Sequence, residues 1–417
     1  MPRLPTYNAD LTIVGAGIVG LAVAYQVLKR RPDTRLIILE KEQVIASHQT
    51  GRNSGVLHSG VYYTPGSLKA TNCRAGKDAM IAFCDEEGID YELCGKVIVA
   101  TAQDELPILR NIYERGIANG VDCELIGRER LRELEPHAAG IRAIHVPETG
   151  IVDYRVVSRR LAARIEAMGG EIVTGAEVND LVHTGEAVVV QTTAGEIRAR
   201  LFVNCAGLHS DRIARMSGTD PDVTIVPFRG EYYLLTESAS TYCNNLIYPV
   251  PDPNFPFLGV HFTRRIDGRV DCGPNAVLAF AREGYTMGDI DVGDIGEVLR
   301  HHGFRRLALR YWRTGLAEMW RSVSKAAFVR ALQRLVPDIR SEHLEPAPSG
   351  VRAQAVTADG QLLDDFRIDG ADRAVHVLNA PSPAATSSLN IGRTVAAAIE
   401  TRLSAFRRPS VAGHTPS

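Results

Sequence analysis

The chain lacks most of the features that would take it out of ordinary globular folding. Its seven cysteines are odd in number and contain no C-x-x-C pair, which excludes a disulfide framework and a structural zinc cluster and fits a reducing compartment. No metal is expected. Neither charge sign is in excess: 47 basic against 49 acidic side chains leave a formal net charge of −2, so no global pull toward nucleic acid or an anionic surface is expected. Uninterrupted apolar runs are short. The most apolar stretch, residues 11–28, is broken by glycines at 15, 17 and 20, which a strand, turn and helix explain and a spanning helix does not. The first six residues carry one cation and no apolar segment, so no cleaved leader and a cytoplasmic location are expected. No internal repeat is visible.

What is present is enough for two or three domains with a large core: 417 residues, 45% of them hydrophobic. The strongest local signal is Gly15-Ala16-Gly17-Ile18-Val19-Gly20 between the apolar Leu11-Thr12-Ile13-Val14 and a helical pattern. Gly15 permits a tight turn, Gly17 lets the backbone approach a pyrophosphate, and Gly20 lets the helix close on the strand. Glu40 ends a second strand at residues 35–39, where a carboxylate accepts both ribose hydroxyls and repels a 2′-phosphate. The unit is therefore expected to hold an adenine dinucleotide other than NADP.

Further along, a helix is expected from residue 69 to 84, a strand at 95–100, and a helix capped by Asp153 and ending near Gly169. Strands near 172, 200 and 375 can rejoin the first sheet, residues 223–278 are strand-rich, 290–336 helical and basic, and a last helix runs from 387 to 405. The expected fold class is α/β: a discontinuous Rossmann-like nucleotide domain (1–84, 146–224 and 346–406) carrying an inserted strand-rich α+β substrate domain (85–145 and 225–345), with a disordered tail at 407–417.

Residues 48–63 are too polar and glycine-rich for a core. The glycines at 51, 55 and 60 let amides face a ligand, and Thr50, Asn53 and Ser54 supply donors and acceptors. Together with Pro65 to Ala70 and the segments 203–211, 227–233, 273–276, 350–354 and 379–388, this run resembles the L-2-hydroxyglutarate dehydrogenase/oxidase family, a branch of the FAD-dependent D-amino-acid-oxidase-like superfamily. The likeness is colinear over nearly the whole chain. Arg52 departs from it, since several members carry His there.

The resemblance implies FAD. Gly15, Gly17, Ile18, Val19, Gly20 and Glu40 then hold its ADP half, Val178 meets the adenine edge, and Ala206 and Gly207 approach the pyrophosphate. Thr50, Gly51, Arg52, Asn53, Ser54 and Gly55 surround the cofactor. A helix starting near Ser387 and Ser388 aims free N–H groups at the flavin pyrimidine end. Oxidising a 2-hydroxy acid further requires a group to take the hydroxyl proton, and imidazole suits that task. His58, in the flavin loop, is the first candidate and His261 the second. Arg352 resembles the superfamily's carboxylate-holding arginine, whose planar fork binds bidentately. For a second carboxylate the candidates are Tyr233, Tyr248, Arg264 and Arg282.

Residues 304–334 interleave Arg with aromatic and aliphatic residues. Such a segment is either an ordinary helix with a solvated basic face or a peripheral contact with the inner face of a membrane. The expected reaction is FAD-dependent oxidation of a small dicarboxylate, L-2-hydroxyglutarate or a close 2-hydroxy diacid, to the 2-oxo acid. A quinone or dioxygen then takes the electrons. Two alternatives stay open: an amino-acid or amine oxidase of the same superfamily, and a non-catalytic flavin-binding docking protein.

Overall fold

The structure, a computed structural model, describes residues 6–252 and 258–406. The expected tail at 407–417 lies outside the described residues.

The first strand, Thr6–Val14, is buried over its last four residues and lies parallel between Leu36–Leu39 and Gly195–Asn204. Central parallel strands need cover on both faces. On one face Leu11, Ile13, Ile38 and Val203 pack beneath the helices Ile18–Arg30, Leu68–Glu87, Tyr154–Ala167 and Ala384–Ala405. On the other, Val14, Leu39 and Phe202 pack with Val178, Val190 and Ile213. The first and last helices cross closely, and a Cβ on Gly392 would run into the Ala22 carbonyl. Strand Glu171–Val173 joins Leu36–Leu39, while Ala374–Asn379 joins Gly195–Asn204, so chain segments remote in sequence rebuild one eight-stranded sheet as expected. Asp153 caps its helix as expected, accepting from the Arg155 amide at 2.8 Å, and Ser67 caps the helix Leu68–Glu87 in the same way, accepting from the Ala70 amide at 3.1 Å.

A nine-stranded sheet forms the second layer. Its strand Lys96–Ala100 is buried on both faces: Val97 and Val99 point into a cluster with Phe262 and Phe328, while Ile98 and Ala100 join Val61, Leu109 and Ile144. The expected domain boundary at 346 falls inside Leu344–Thr357, which pairs antiparallel with Val223–Leu235 from Leu344↔Leu235 to Thr357↔Val223. Sheet membership thus places 346–357 with the inserted segments, because its ladder partner lies there.

The helical region expected at 290–336 is three helices, Val292–Arg300, His302–Val323 and Lys325–Gln333. The middle one buries Phe304, Leu307 and Glu318. Its outward side is not simply basic: Leu309 is 77% exposed, Trp312 55% and Trp320 61%, with Leu316 and Val323 also open. No helix among the described residues is long and apolar enough to cross a membrane.

Candidate active site

A cavity of about 1670 Å³ opens where the carboxyl ends of the first sheet's strands meet the second sheet. This is the crevice position in which open α/β sheets take ligands.

On the first sheet's side it is lined by Gly15, Gly17, Ile18, Val19, Glu40, Val178, Ala206 and Gly207. Gly15 has φ +101°, and a Cβ there would strike the Cys205 carbonyl, so only glycine makes this turn. Gly20 does not line the cavity; its missing side chain makes room for the Gly15 carbonyl, the packing role expected of the third glycine. The helix beginning at Ile18 has no acidic residue in its first turn, and its Ile18 amide donates to Thr50 Oγ1 at 3.0 Å. Its partial positive charge therefore faces the cavity without a competing carboxylate. Glu40 is buried, and each of its carboxylate oxygens accepts one amide, from Ala16 at 2.9 Å and Glu42 at 3.0 Å. Those bonds fix the carboxylate's orientation and leave lone pairs for hydroxyl donors.

The loop after the second strand divides. Thr50, Arg52, Asn53 and Ser54 line the cavity, whereas Gly51 and Gly55 do not. A Cβ at Gly51 would meet the Ala46 carbonyl and one at Gly55 the Val152 carbonyl, so both glycines serve backbone packing rather than presenting amides to a ligand. Arg52 lies 3.9 Å from the Tyr285 ring centroid and donates to the Ser47 and Ser349 carbonyls at 3.3 and 3.4 Å. It ties the loop to the strand that carries Arg352.

The last helix starts at Ala384, three residues earlier than expected. Ser387 and Ser388 consequently lie inside the helix and do not cap it: the Ser387 amide bonds the Pro383 carbonyl at 2.9 Å, and both side chains are buried outside the cavity lining, their hydroxyls without a hydrogen-bond partner among the described residues. The first turn, Ala384 to Thr386, takes the place expected of them, again without an acidic residue. Thr386 and Tyr154 hydroxyls lie 3.0 Å apart, each 3.1 Å from the Val56 carbonyl, and Thr386 Oγ1 accepts the His58 amide at 3.2 Å. This network clamps the helix start onto the loop that carries His58.

On the second sheet's side the cavity is lined by His58, Tyr62, Tyr232, Tyr248, His261 and Arg352. His261 is buried, and its Nδ1 lies 2.8 Å from the Gly259 carbonyl. A carbonyl can only accept, so the proton sits on Nδ1 and Nε2 keeps its lone pair. Burial above all, against the Gly259 bond and with the charges of Lys96 and Arg352 adding to it, pulls its pKa down to about 3. The Tyr248 ring packs 4.0 Å from it, centroid to centroid. Burial also holds His58 well below the ordinary imidazole value, helped by Lys96 and by His261. Both rings are therefore neutral at pH 7. Burial raises the Tyr232 hydroxyl's pKa, opposed by the neighbouring Arg352 guanidinium, to which that hydroxyl is hydrogen-bonded.

Three expected substrate contacts are placed elsewhere or otherwise engaged. Tyr233 points to the opposite side of its strand, against Phe328 at 4.9 Å, and the adjacent Tyr232 faces the cavity. Alternation along a strand sends neighbours to opposite faces, and a register shift between Gly230 and Tyr232 interrupts it nearby. Arg264 lies outside the cavity, paired with Glu92 at 2.9 Å. Arg282 touches the cavity but is 1% exposed and is taken up by Asp211, Glu297 and the Leu208 carbonyl. Tyr62, Lys96 and Tyr232 went unnoticed in the sequence; for Lys96 the signal was a cation inside an otherwise apolar strand.

Residues 10–398 match the DAO family, described as FAD dependent oxidoreductase. A protein of Indibacter alkaliphilus named L-2-hydroxyglutarate dehydrogenase is 50% identical over 388 residues, covering 93% of this chain and 97% of its own length. Its namesake in Escherichia coli strain K12 is 47% identical over 401 residues, 96% of this chain and 95% of that one. Among solved structures, the FAD-bound L-alpha-glycerophosphate oxidase of Mycoplasma pneumoniae superposes with a TM-score of 0.77 at 22% identity, over 95% of this chain and 94% of that one, a likeness of fold.

Proposed function

Because the chain belongs to the DAO family of FAD-dependent oxidoreductases, we propose that it oxidises L-2-hydroxyglutarate, or a close 2-hydroxy diacid, to the corresponding 2-oxo acid. What carries the substrate assignment is the nearly full-length identity with enzymes named for that substrate.

The residues present fit the cofactor. Two helix starts free of acidic side chains, the Gly15–Gly17 turn and the oriented Glu40 carboxylate share one cavity, supplying the kinds of group that a pyrophosphate, a ribose and a flavin ring require. When bound, FAD supplies the two-electron acceptance that lets C2 give up a hydride. Arg352 forks onto the C1 carboxylate, with the Tyr232 hydroxyl beside it. His261 Nε2 takes the hydroxyl proton, and its Nδ1–H, anchored on Gly259, fixes the tautomer that makes this possible. Loss of one proton and one hydride converts the 2-hydroxy acid to the 2-oxo acid. His58, neutral and close by, shapes the same wall.

We assign the cofactor to segments 1–84, 146–224 and 358–406 and the substrate side to 85–145 with 225–357, following the two sheets. The helix His302–Val323 sets exposed Leu309, Trp312, Leu316 and Trp320 among Arg306, Arg310 and Arg313, a combination suited to an anionic membrane surface. A cytoplasmic enzyme resting there would hand its electrons to a quinone, with dioxygen as the alternative acceptor.

The test is anaerobic flavin bleaching with a panel of 2-hydroxy and 2-amino acids. L-2-hydroxyglutarate should reduce the flavin fastest. Faster reduction by glutamate, glycine or sarcosine would replace this reading with an amine oxidase, and a flavin that stays oxidised with every compound would leave a docking protein.

A further inference from the structure

Lys96 opens the strand Lys96–Ala100 and is 1% exposed. Among the described residues its ammonium has no carboxylate partner and no hydrogen bond; its neighbours are two aromatic rings, Tyr248 with the centroid 4.1 Å from Nζ and Tyr62 at 5.6 Å. Buried lysines are ordinarily paired. Both tyrosines line the cavity beside His58 and His261, and the Tyr62 hydroxyl is itself buried without a hydrogen-bond partner. Lys96 does not itself line the cavity; its ammonium lies against the two tyrosine rings that do, so a buried cation and a buried hydroxyl, both short of acceptors, stand just behind the wall that carries His58 and His261.

A diacid held by Arg352 at C1 needs a second cation. Arg282 is consumed by Asp211, Arg264 by Glu92, and Lys69 by Asp364 at 2.7 Å; Arg115 is exposed and donates to the Tyr62 carbonyl at 3.3 Å. Only Lys96 of these five is both desolvated and without an anion. We propose that Lys96, assisted by the Tyr62 hydroxyl, binds the second carboxylate of the substrate and so makes the enzyme selective for 2-hydroxy diacids over 2-hydroxy monoacids. This assignment rests on the function proposed above. The physical logic is that an anion meeting an ammonium already stripped of water gains most of the pair's attraction, whereas an uncharged chain end leaves the cation as costly as before. Burial, which pulls the Lys96 pKa down to about 8, is the same penalty viewed in the free protein.

The experiment compares L-2-hydroxyglutarate with L-2-hydroxypentanoate, which keeps C1 and C2 and lacks the second carboxylate, as reductants of the bound flavin in wild-type and Lys96→Met holoenzyme. The expected result is that Lys96→Met raises the half-saturating concentration of the diacid at least ~30-fold, as for a buried charged contact. The monoacid should change by less than ~3-fold. Equal losses for both substrates, or none, would overturn the assignment. Should Lys96→Met not retain FAD, Lys96→Gln carries the same comparison, and loss of FAD in both would make Lys96 a support of the fold and overturn it too. If the wild type fails to oxidise the diacid, it is the functional reading that falls. Lys96 is then judged by flavin fluorescence with glutarate and pentanoate, where the wild type should prefer glutarate and the variant should not; no such difference would overturn it.

Discussion

Arg282 grips Asp211 with both prongs of its guanidinium, Nη1 to Oδ1 at 2.5 Å and Nη2 to Oδ2 at 2.9 Å, and neither side chain reaches solvent. The pair joins the helix Ser210–Met216 of the first layer to the segment beyond the second sheet's Val277–Leu278. Burial pushes the Asp211 carboxyl up, but the Arg282 hydrogen bonds and charge outweigh it, and the net shift is downward.

Removing one partner strands the other charge in the interior. Arg282→Met should therefore cost about 3–5 kcal/mol of stability, and the double variant Arg282→Met/Asp211→Leu clearly less. Because the folded carboxyl titrates below its unfolded value, its contribution is full above the unfolded pKa, about 3.9, and is lost as pH falls through the folded one. Melting temperatures taken from pH 7 down to pH 3 should fall less steeply for Asp211→Asn than for the wild type. Parallel slopes would show that the pair does not titrate as described.

His261 offers a kinetic test. With its pKa lowered to about 3, the ring is already neutral across the physiological range. For substrate-driven flavin reduction, kcat/KM should stay level between about pH 5.5 and 7.5 instead of falling through the ordinary imidazole value near 6.5. His261→Asn should slow the reduction at least ~100-fold at every pH, the scale of a lost general base. A midpoint near 6.5 that survives in His261→Asn would move the proton acceptor to another group.

Arg352 stands on a strand of the second sheet, registered opposite Phe228, while the Gly15–Gly17 turn, to which we assign the ADP half of FAD, follows a strand of the first sheet. Arg352→Met should accordingly separate the two functions: FAD is retained, and bleaching by the hydroxy acid drops about 100-fold or more. Stopped-flow absorbance and the flavin-to-protein ratio check both halves. Loss of FAD would reassign the residue to holding the layers together.

The exposed face of His302–Val323 predicts lipid binding. Trp312→Ser with Trp320→Ser should cut co-sedimentation with anionic vesicles at least ~10-fold, through the lost aromatic area. Arg306→Gln, Arg310→Gln and Arg313→Gln together should weaken it most at low salt. Binding that neither set alters would return this helix to an ordinary solvated surface.

The dinucleotide turn was legible because its requirements are local. Gly15 takes φ +101° and Gly20 leaves room for the Gly15 carbonyl, both within a few residues, although the Cys205 carbonyl that also excludes a Cβ at Gly15 lies far along the chain. The polar run after Leu39 was legible as a loop, but not which of its glycines face a ligand: Gly51 and Gly55 answer to the Ala46 and Val152 carbonyls, the latter about a hundred residues away in the chain. The start of the last helix was misplaced by three residues because it follows Pro383, which offers no side-chain cap to mark it, whereas the sequence pattern put the start near Ser387.

The amino-acid sequence by itself determined the α/β class, the return of distant strands to one sheet and the identity of the turn, since periodicity and turn chemistry are written over short windows; the choice of FAD came from the family resemblance. The tertiary structure alone decided which cations are already paired with carboxylates. Arg264, Arg282 and Lys96 are equivalent as letters, and only packing shows two of them neutralised by carboxylates far along the chain and the third buried between two tyrosine rings. A charge acquires its role from what surrounds it after folding, because the cost of burying it and the partner that offsets that cost are both non-local.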